Sequence, residues 1–124
     1  MEVLNIHERE LAVDAARVGQ LIDTLASPQD RLWPLDRWPR MKFDRPLSVG
    51  ATGGHGPVRY VVDRYQPGRS IRFRFQQPAG FNGFHGYEIF ERSPGKTLLR
   101  HTLRMSATGP ALFSWPFVFR PLHN

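Results

Sequence analysis

Four segments in which apolar and polar residues alternate follow one another along the second half of the chain. They cover residues 58–65, 71–76, 84–92 and 97–105, with short Pro- and Gly-containing turn sequences between them. Alternation over such lengths predicts strands. Connections this short permit only antiparallel neighbours, because a parallel pair needs a crossover of roughly a dozen residues or more. We therefore predict a continuous antiparallel meander over residues 58–105.

The first third of the chain has different patterns. Residues 2–11 alternate loosely, with Leu4 and Ile6 on one face, and predict an opening strand. Asp14 is a suitable N-cap for a helix over residues 15–25. The apolar residues that recur there at helical spacing are Val18, Leu21, Ile22 and Leu25. A second, shorter helix after Ser27 would carry Leu32, Trp33 and Leu35.

The last turn sets the register of the final hairpin. If Ser93-Pro94-Gly95 forms a three-residue loop with Gly95 left-handed, Arg92 lies opposite Lys96. The opposed pairs are then Ile89 with Leu99, Tyr87 with His101, and His85 with Leu103. One face is predicted to carry Tyr87, Ile89, Leu99, His101, Leu103 and Met105. The other is predicted to carry Glu88, Arg92, Arg100 and Arg104. On the preceding strand, Ile71, Phe73 and Phe75 should point inward and Arg72 and Arg74 outward.

Composition limits the chemistry that is available to the chain. The 124 residues, 40% of them apolar, suit one globular domain over residues 1–124. The absence of cysteine excludes disulfides, thiol catalysis and Cys-ligated zinc. No pair of histidines has metal-ligand spacing, so neither a metal nor a cofactor is expected. The five histidines are His7, His55, His85, His101 and His123.

Charge and hydropathy give expectations about partners and location. The net charge is +6, but the arginines are spread along the chain without a run, so no nucleic-acid partner is expected. The amino terminus does not resemble a signal peptide, and no window has the roughly 20 apolar residues that cross a bilayer. A cytoplasmic protein without a transmembrane segment is therefore predicted.

Two stretches superficially resemble binding motifs. The Gly-rich residues 50–56 lack the spacing of a phosphate-binding loop and precede a strand instead of a helix. A loop or bulged sheet edge, with His55 facing solvent, is expected instead. Residues 83–90 resemble an RNA-recognition strand, but the consecutive strands around them do not fit that domain.

Four segments carry a resemblance to known proteins: residues 49–60, 65–69, 84–89 and 115–123. Together they resemble the START-like superfamily, also called SRPBCC, which includes the polyketide cyclase/dehydrase and lipid-transport family. The resemblance implies an α+β helix-grip fold. In that fold a curved antiparallel sheet and two small N-terminal helices are completed by a C-terminal helix, which roofs an apolar cavity.

The resemblance also implies a function and a site. The inner face of the sheet should line a cavity for an apolar or aromatic small molecule, lipid-like or polyketide-like, which makes a binding or carrier protein the leading hypothesis. The expected lining residues are Tyr60, Val62, Phe73, Phe75, His85, Tyr87, Ile89, His101, Leu103 and Met105. The alternative is a polyketide cyclase, aromatase or dehydratase in which Tyr87, His85 and His101 transfer protons.

The carboxy-terminal segment departs from the family pattern. Residues 112–122 are strongly apolar, but the chain stops at Asn124, before a long helix could form. We predict a short or truncated, kinked helical piece that begins at Pro116 and packs on the inner face of the sheet. Incomplete cover of this apolar segment would favour self-association.

Overall fold

The computed structural model describes residues 2–33 and 39–107. These residues form one antiparallel sheet of seven strands and one helix. The elements, in chain order, are β1 (Glu2–Leu11), α1 (Ala15–Asp23), β2 (Lys42–Phe43), β3 (Thr52–His55), β4 (Val58–Gln66), β5 (Ser70–Gln77), β6 (Phe81–Ser93) and β7 (Lys96–Ala107).

The predicted meander is present, and the strand order in the sheet is β1-β7-β6-β5-β4-β3-β2. The first strand therefore lies at one edge, beside the last described strand. The predicted pairs Ile89 with Leu99, Tyr87 with His101, and His85 with Leu103 are all observed. The side chains that we expected to point inward therefore share one face of the sheet, which we call the inner face.

The β6–β7 turn differs from the prediction in one respect. Ser93 pairs with Lys96, so the loop has two residues, and Arg92 is an extra residue in a bulge instead of the partner of Lys96. Gly95 is left-handed, as predicted, with φ 77°. The bulge restores the register between Glu91 and Thr97, which is why the pairs farther from the turn are unaffected.

A second bulge changes which residues of β4 face inward. Val62 pairs with Phe73, but Arg64 pairs with Arg72, which leaves Asp63 as the extra residue. The alternation therefore shifts by one at Asp63, and Tyr65, opposite Ile71, returns to the inner face.

Helix α1 begins where its sequence predicts and packs against β5, β6 and β7. The Asp14 side chain accepts a hydrogen bond of 3.0 Å from the Arg17 backbone N–H, as an N-cap does. The buried helix residues Val18 and Ile22 join the core. Gly19 lies so close to the β4–β5 turn that a Cβ there would be 2.0 Å from the Gly68 carbonyl oxygen.

The second predicted helix is not formed in the part of it that the structure describes. Residues 27–33 form turns that are held by the buried carboxylate of Asp30. This carboxylate accepts hydrogen bonds of 2.9–3.0 Å from the backbone N–H groups of Ala26, Leu32 and Trp33. Side-chain hydrogen bonds of this kind compete with helical ones. Leu35 and the carboxy-terminal prediction for residues 112–122 lie outside the described residues.

The core lies between the inner face, α1 and the side chains of Trp33 and Met41. The opposite, outer face carries most of the charged side chains of the sheet, together with exposed Leu4 and Ile6 on β1 and the rings of Phe84 and Phe90 on β6. Among the residues that the structure describes, no helix is long and apolar enough to cross a membrane.

Candidate functional site

All ten residues predicted to line a cavity lie on the inner face. Nine of them are buried, and His101 is half-buried. The side chains of Tyr60, Val62 and Phe73 are completely buried within the core. The outward positions of Arg72, Arg74, Glu88, Arg100 and Arg104 also agree with the prediction.

A cluster of rings occupies the centre of the inner face. We call it the aromatic cluster: Trp33, His55, Tyr60, Phe73 and His85. The His85 ring lies 4.5 Å from that of Tyr60 and 4.8 Å from that of Phe73, centroid to centroid. Trp33 packs on His55 at 4.6 Å, and the Nδ1 of His55 and the hydroxyl of Tyr60 share a hydrogen bond of 2.9 Å. The cluster is a set of close aromatic contacts with few polar atoms.

The burial of His55 corrects the expectation that this residue faces solvent. Its side chain is only 1% exposed, because β3 is paired on both sides, with β2 and β4, and directs the ring towards Trp33 and Tyr60. The Gly-rich sequence around it is thus partly a strand. Gly53 and Gly54 allow close approach there, since a Cβ at either position would meet the backbone of a neighbouring strand at 2.0 Å or less.

Burial sets the protonation of the inner polar groups. Burial lowers the pKa of His55 to about 4. Burial, together with His101 and His55, lowers the pKa of His85 well below its usual value. Both rings are therefore neutral at pH 7. Burial also raises the pKa of Tyr87, so its hydroxyl keeps its proton and remains a hydrogen-bond donor.

The aromatic cluster contains a polar atom of His85 that is unsatisfied among the described residues. The Nε2 of His85 is buried and has no hydrogen-bond partner within residues 2–33 and 39–107. A buried polar atom in that state costs about 1–3 kcal/mol, so its presence needs an explanation. A polar group of a bound small molecule is one such explanation.

A cavity of about 250 Å³ opens on the inner face towards the sheet edge. We call it the edge cavity, and its lining residues are His7, Glu8, Arg9, Tyr87, Leu99 and His101. The Tyr87 and His101 rings are 4.8 Å apart, and the His101 and His85 rings are 6.1 Å apart. The three proposed proton-transfer residues therefore form a continuous row from the edge cavity to the aromatic cluster.

Sequence analysis missed His7 and Arg9 as members of this site. The alternation in β1 drew attention to Leu4 and Ile6 on one face of the strand, but this is the outer face, where they are 63% and 53% exposed. His7 instead lies opposite His101, and Arg9 lies opposite Leu99. Only the register with β7 identifies these positions, and no local signal in residues 2–11 encodes that register.

The outer face carries paired charges and a second cavity. Asp63 forms ion pairs with Arg72 at 2.8 Å and Arg74 at 3.0 Å, and Glu8 pairs with Arg100 at 2.7 Å. We call the second cavity the outer hollow. It measures about 220 Å³, and its lining includes Arg64, Arg72, Phe84, Gly86, Glu88 and Thr102. No group of metal-ligating side chains occurs in the described part of the chain.

The sheet and helix have the order and topology of the START-like helix-grip fold, which the sequence resemblance predicted. Comparison with solved structures confirms this class of fold. Norcoclaurine synthase from Thalictrum flavum, in complex with dopamine and hydroxybenzaldehyde, is similar with a TM-score of 0.69 and 11% identity, over 100% of this chain and 78% of that one.

Two further solved structures have the same fold. A START superfamily protein from Mycobacterium smegmatis has a TM-score of 0.63 and 14% identity, over 86% of this chain and 79% of that one. CalU16 from Micromonospora echinospora has a TM-score of 0.60 and 14% identity, over 87% and 71%. Neither a protein-family model nor a curated protein matches the sequence. At such low identities the likeness shows the fold alone.

Proposed function

We propose that the protein binds or carries an apolar or aromatic small molecule, held against the inner face of the sheet. The observation that supports this most directly is the edge cavity, which Tyr87, Leu99 and His101 line. The rings of Tyr87 and His101 there belong to the row that reaches His85. Norcoclaurine synthase, which shares the fold, was solved with two aromatic molecules bound. The unsatisfied Nε2 of His85 offers one polar contact deeper in the same face.

Affinity at such a site would come mainly from burial of apolar area. This burial contributes about 25 cal/mol per Å² before the costs of association are subtracted. The few polar atoms of the inner face would then fix the orientation of the molecule. The volume of about 250 Å³ is just below the usual range for drug-sized ligands, which begins at about 300 Å³. It therefore suits a molecule of one or two rings.

A bulky side chain in the edge cavity should compete with the ligand. Leu99 lines the cavity, so we expect Leu99→Trp to lower the affinity for the neutral two-ring dye prodan by about 10-fold or more, the equivalent of about 1.4 kcal/mol. The measurement is a fluorescence titration of prodan, whose emission shifts to shorter wavelength in an apolar site.

Thr102→Trp provides the matched control. Thr102 is on the same strand but lines the outer hollow, so the same side chain there should change the prodan affinity by less than about 2-fold. Loss of binding in Thr102→Trp with retention in Leu99→Trp would place the ligand on the outer face. No binding by the unmodified protein would count against the carrier function itself.

The alternative function is a polyketide cyclase, aromatase or dehydratase. It is favoured by the row of His85, His101 and Tyr87 and by the protonation states described above. Neutral His85 could remove a proton from a substrate carbon, while the Tyr87 hydroxyl donates a hydrogen bond to the carbonyl oxygen whose negative charge increases in that step. His101 would orient the substrate between them.

The enzymatic alternative has a separate test. Incubation with a linear poly-β-keto thioester should give a cyclised product, and His85→Phe should reduce its rate of formation by about 100-fold while the ring packing is kept. Product formation is followed by mass spectrometry, with prodan binding measured on the same samples. Binding without cyclisation would support the carrier, and unchanged cyclisation by His85→Phe would exclude His85 as the base.

A further inference from the structure

One side of the edge cavity is lined by polar side chains that can donate hydrogen bonds. His7, His101 and Tyr87 lie on three adjacent strands in directly opposed positions, because His7 pairs with His101 and His101 pairs with Tyr87. Arg9 is the next inward residue on β1 and lines the same cavity. Side chains in opposed positions are about 5 Å apart, so one small group can contact several of them.

The charge in this cavity is positive. Arg9 carries a permanent positive charge and several N–H donors, whereas imidazole rings and a phenol supply further donors. Glu8 also lines the cavity, but its carboxylate is bound at 2.7 Å by Arg100, whose guanidinium lies over the Phe90 ring at 4.6 Å. No other carboxylate among the described residues lines the edge cavity.

The cavity also has an apolar side. Leu99 lies opposite Arg9 and joins the partly buried residues that pack on the core, and Tyr87 presents its ring to the same space. A molecule that fits both sides has an apolar or aromatic body and an anionic oxygen group at one end. We propose that the edge cavity selects such a molecule, a small aromatic or aliphatic carboxylate, with the carboxylate held by Arg9, His7, His101 and Tyr87.

This inference rests on the proposed carrier function, and it adds the chemical class of the ligand. Burial keeps the Tyr87 hydroxyl protonated, which is the state that donates a hydrogen bond to a carboxylate. A neutral aromatic molecule of the same shape would leave the Arg9 guanidinium without a charged partner. Discrimination between an acid and the matching alcohol is therefore the property that the proposal predicts.

The test compares 2-naphthoic acid with 2-naphthalenemethanol, which share the ring system and differ in charge. We expect the acid to bind about 10-fold more tightly or better at pH 7.5, as measured by calorimetric titration. Arg9→Gln should reduce the affinity for the acid to that for the alcohol and leave the alcohol unaffected. Arg9→Lys, which retains the charge, should keep part of the preference.

Arg104→Gln is the matched control, because Arg104 is an exposed arginine of β7 on the outer face. It should leave both affinities unchanged. Equal binding of acid and alcohol, or an equal loss in Arg9→Gln and Arg104→Gln, would overturn the carboxylate subsite while the carrier function stands. A similar loss of affinity for both probes in Arg9→Gln would also overturn the carboxylate subsite. Binding of neither probe would overturn the subsite and the proposed function together.

Discussion

Gly19→Ala should lower the free energy of unfolding by about 2 kcal/mol, although alanine is the better helix former. In an unhindered helix interior this substitution would stabilise the protein by about 1 kcal/mol. Here the new Cβ would lie 2.0 Å from the Gly68 carbonyl oxygen, and backbone on both sides must move apart to accept it. The cost of such overpacking is about 1–3 kcal/mol and occasionally more. Urea unfolding at pH 7.5 measures the difference.

Gln20→Ala is the control for this experiment. Gln20 is the next residue of α1 and is exposed, so its substitution should change the stability by no more than about 0.5 kcal/mol. A more stable Gly19→Ala variant would mean that α1 does not pack against the β4–β5 turn. The same result would contradict the position of Asp23 beside this turn. The Asp23 carboxylate accepts hydrogen bonds from the Gly68 N–H at 2.8 Å and from the Tyr65 hydroxyl at 2.7 Å.

Mild acid should destabilise the fold well above the pH at which carboxylates titrate. His55 has a folded pKa of about 4, below its ordinary 6.5, so between these values the unfolded chain binds more protons than the folded one. Stability is therefore full above pH 6.5 and decreases as the pH falls. His55 alone contributes a loss of about 2 kcal/mol between pH 7.5 and pH 5. His85, with its pKa shifted in the same direction, adds to this loss.

The measurement is the free energy of unfolding in urea at several pH values from 7.5 to 5. This range lies above the carboxylate region, where hydrogen bonds from Arg45 and the Thr52 backbone lower the pKa of Asp44 to about 2. His85→Phe should reduce the pH dependence, because phenylalanine can stack on Phe75 at the present 5.2 Å without binding a proton. Phe81→Leu in the same core should lower stability equally at each pH. A pH dependence unchanged in His85→Phe would contradict the burial of a neutral imidazole.

The strands of the meander could be predicted because local signals agree with tertiary structure there. The alternation in Ile71, Phe73 and Phe75 coincides with one buried face, and the Pro-Gly turns leave only antiparallel neighbours. The left-handed Gly95 limited the register of the β6–β7 hairpin so closely that the inner positions of Tyr87 and His101 could be predicted. The short bulge at Arg92 did not disturb them.

The rest of the site depends on contacts between distant parts of the chain. The inward position of Arg9 follows from its pairing with Leu99, and no pattern within residues 2–11 specifies that pairing. His55 is buried because Trp33 and Tyr60 surround it, although its own neighbours in sequence are glycines. The bulge at Asp63 is similarly nonlocal, since Arg72 and Arg74 on the next strand satisfy its carboxylate.

The pairing of β1 with β7 has a consequence for the order of folding during synthesis. In the described sheet β1 has β7 as its sole neighbour, and Glu2 pairs with Ser106. β1 therefore cannot pair until β2–β7, which follow it in the sequence, have been made. In that interval the β4–β7 hairpins can assemble from contacts that are local in sequence, while β1 has a full row of unpaired backbone groups. The polar side of the edge cavity, which needs His7 and Arg9 beside His101, is thus completed last.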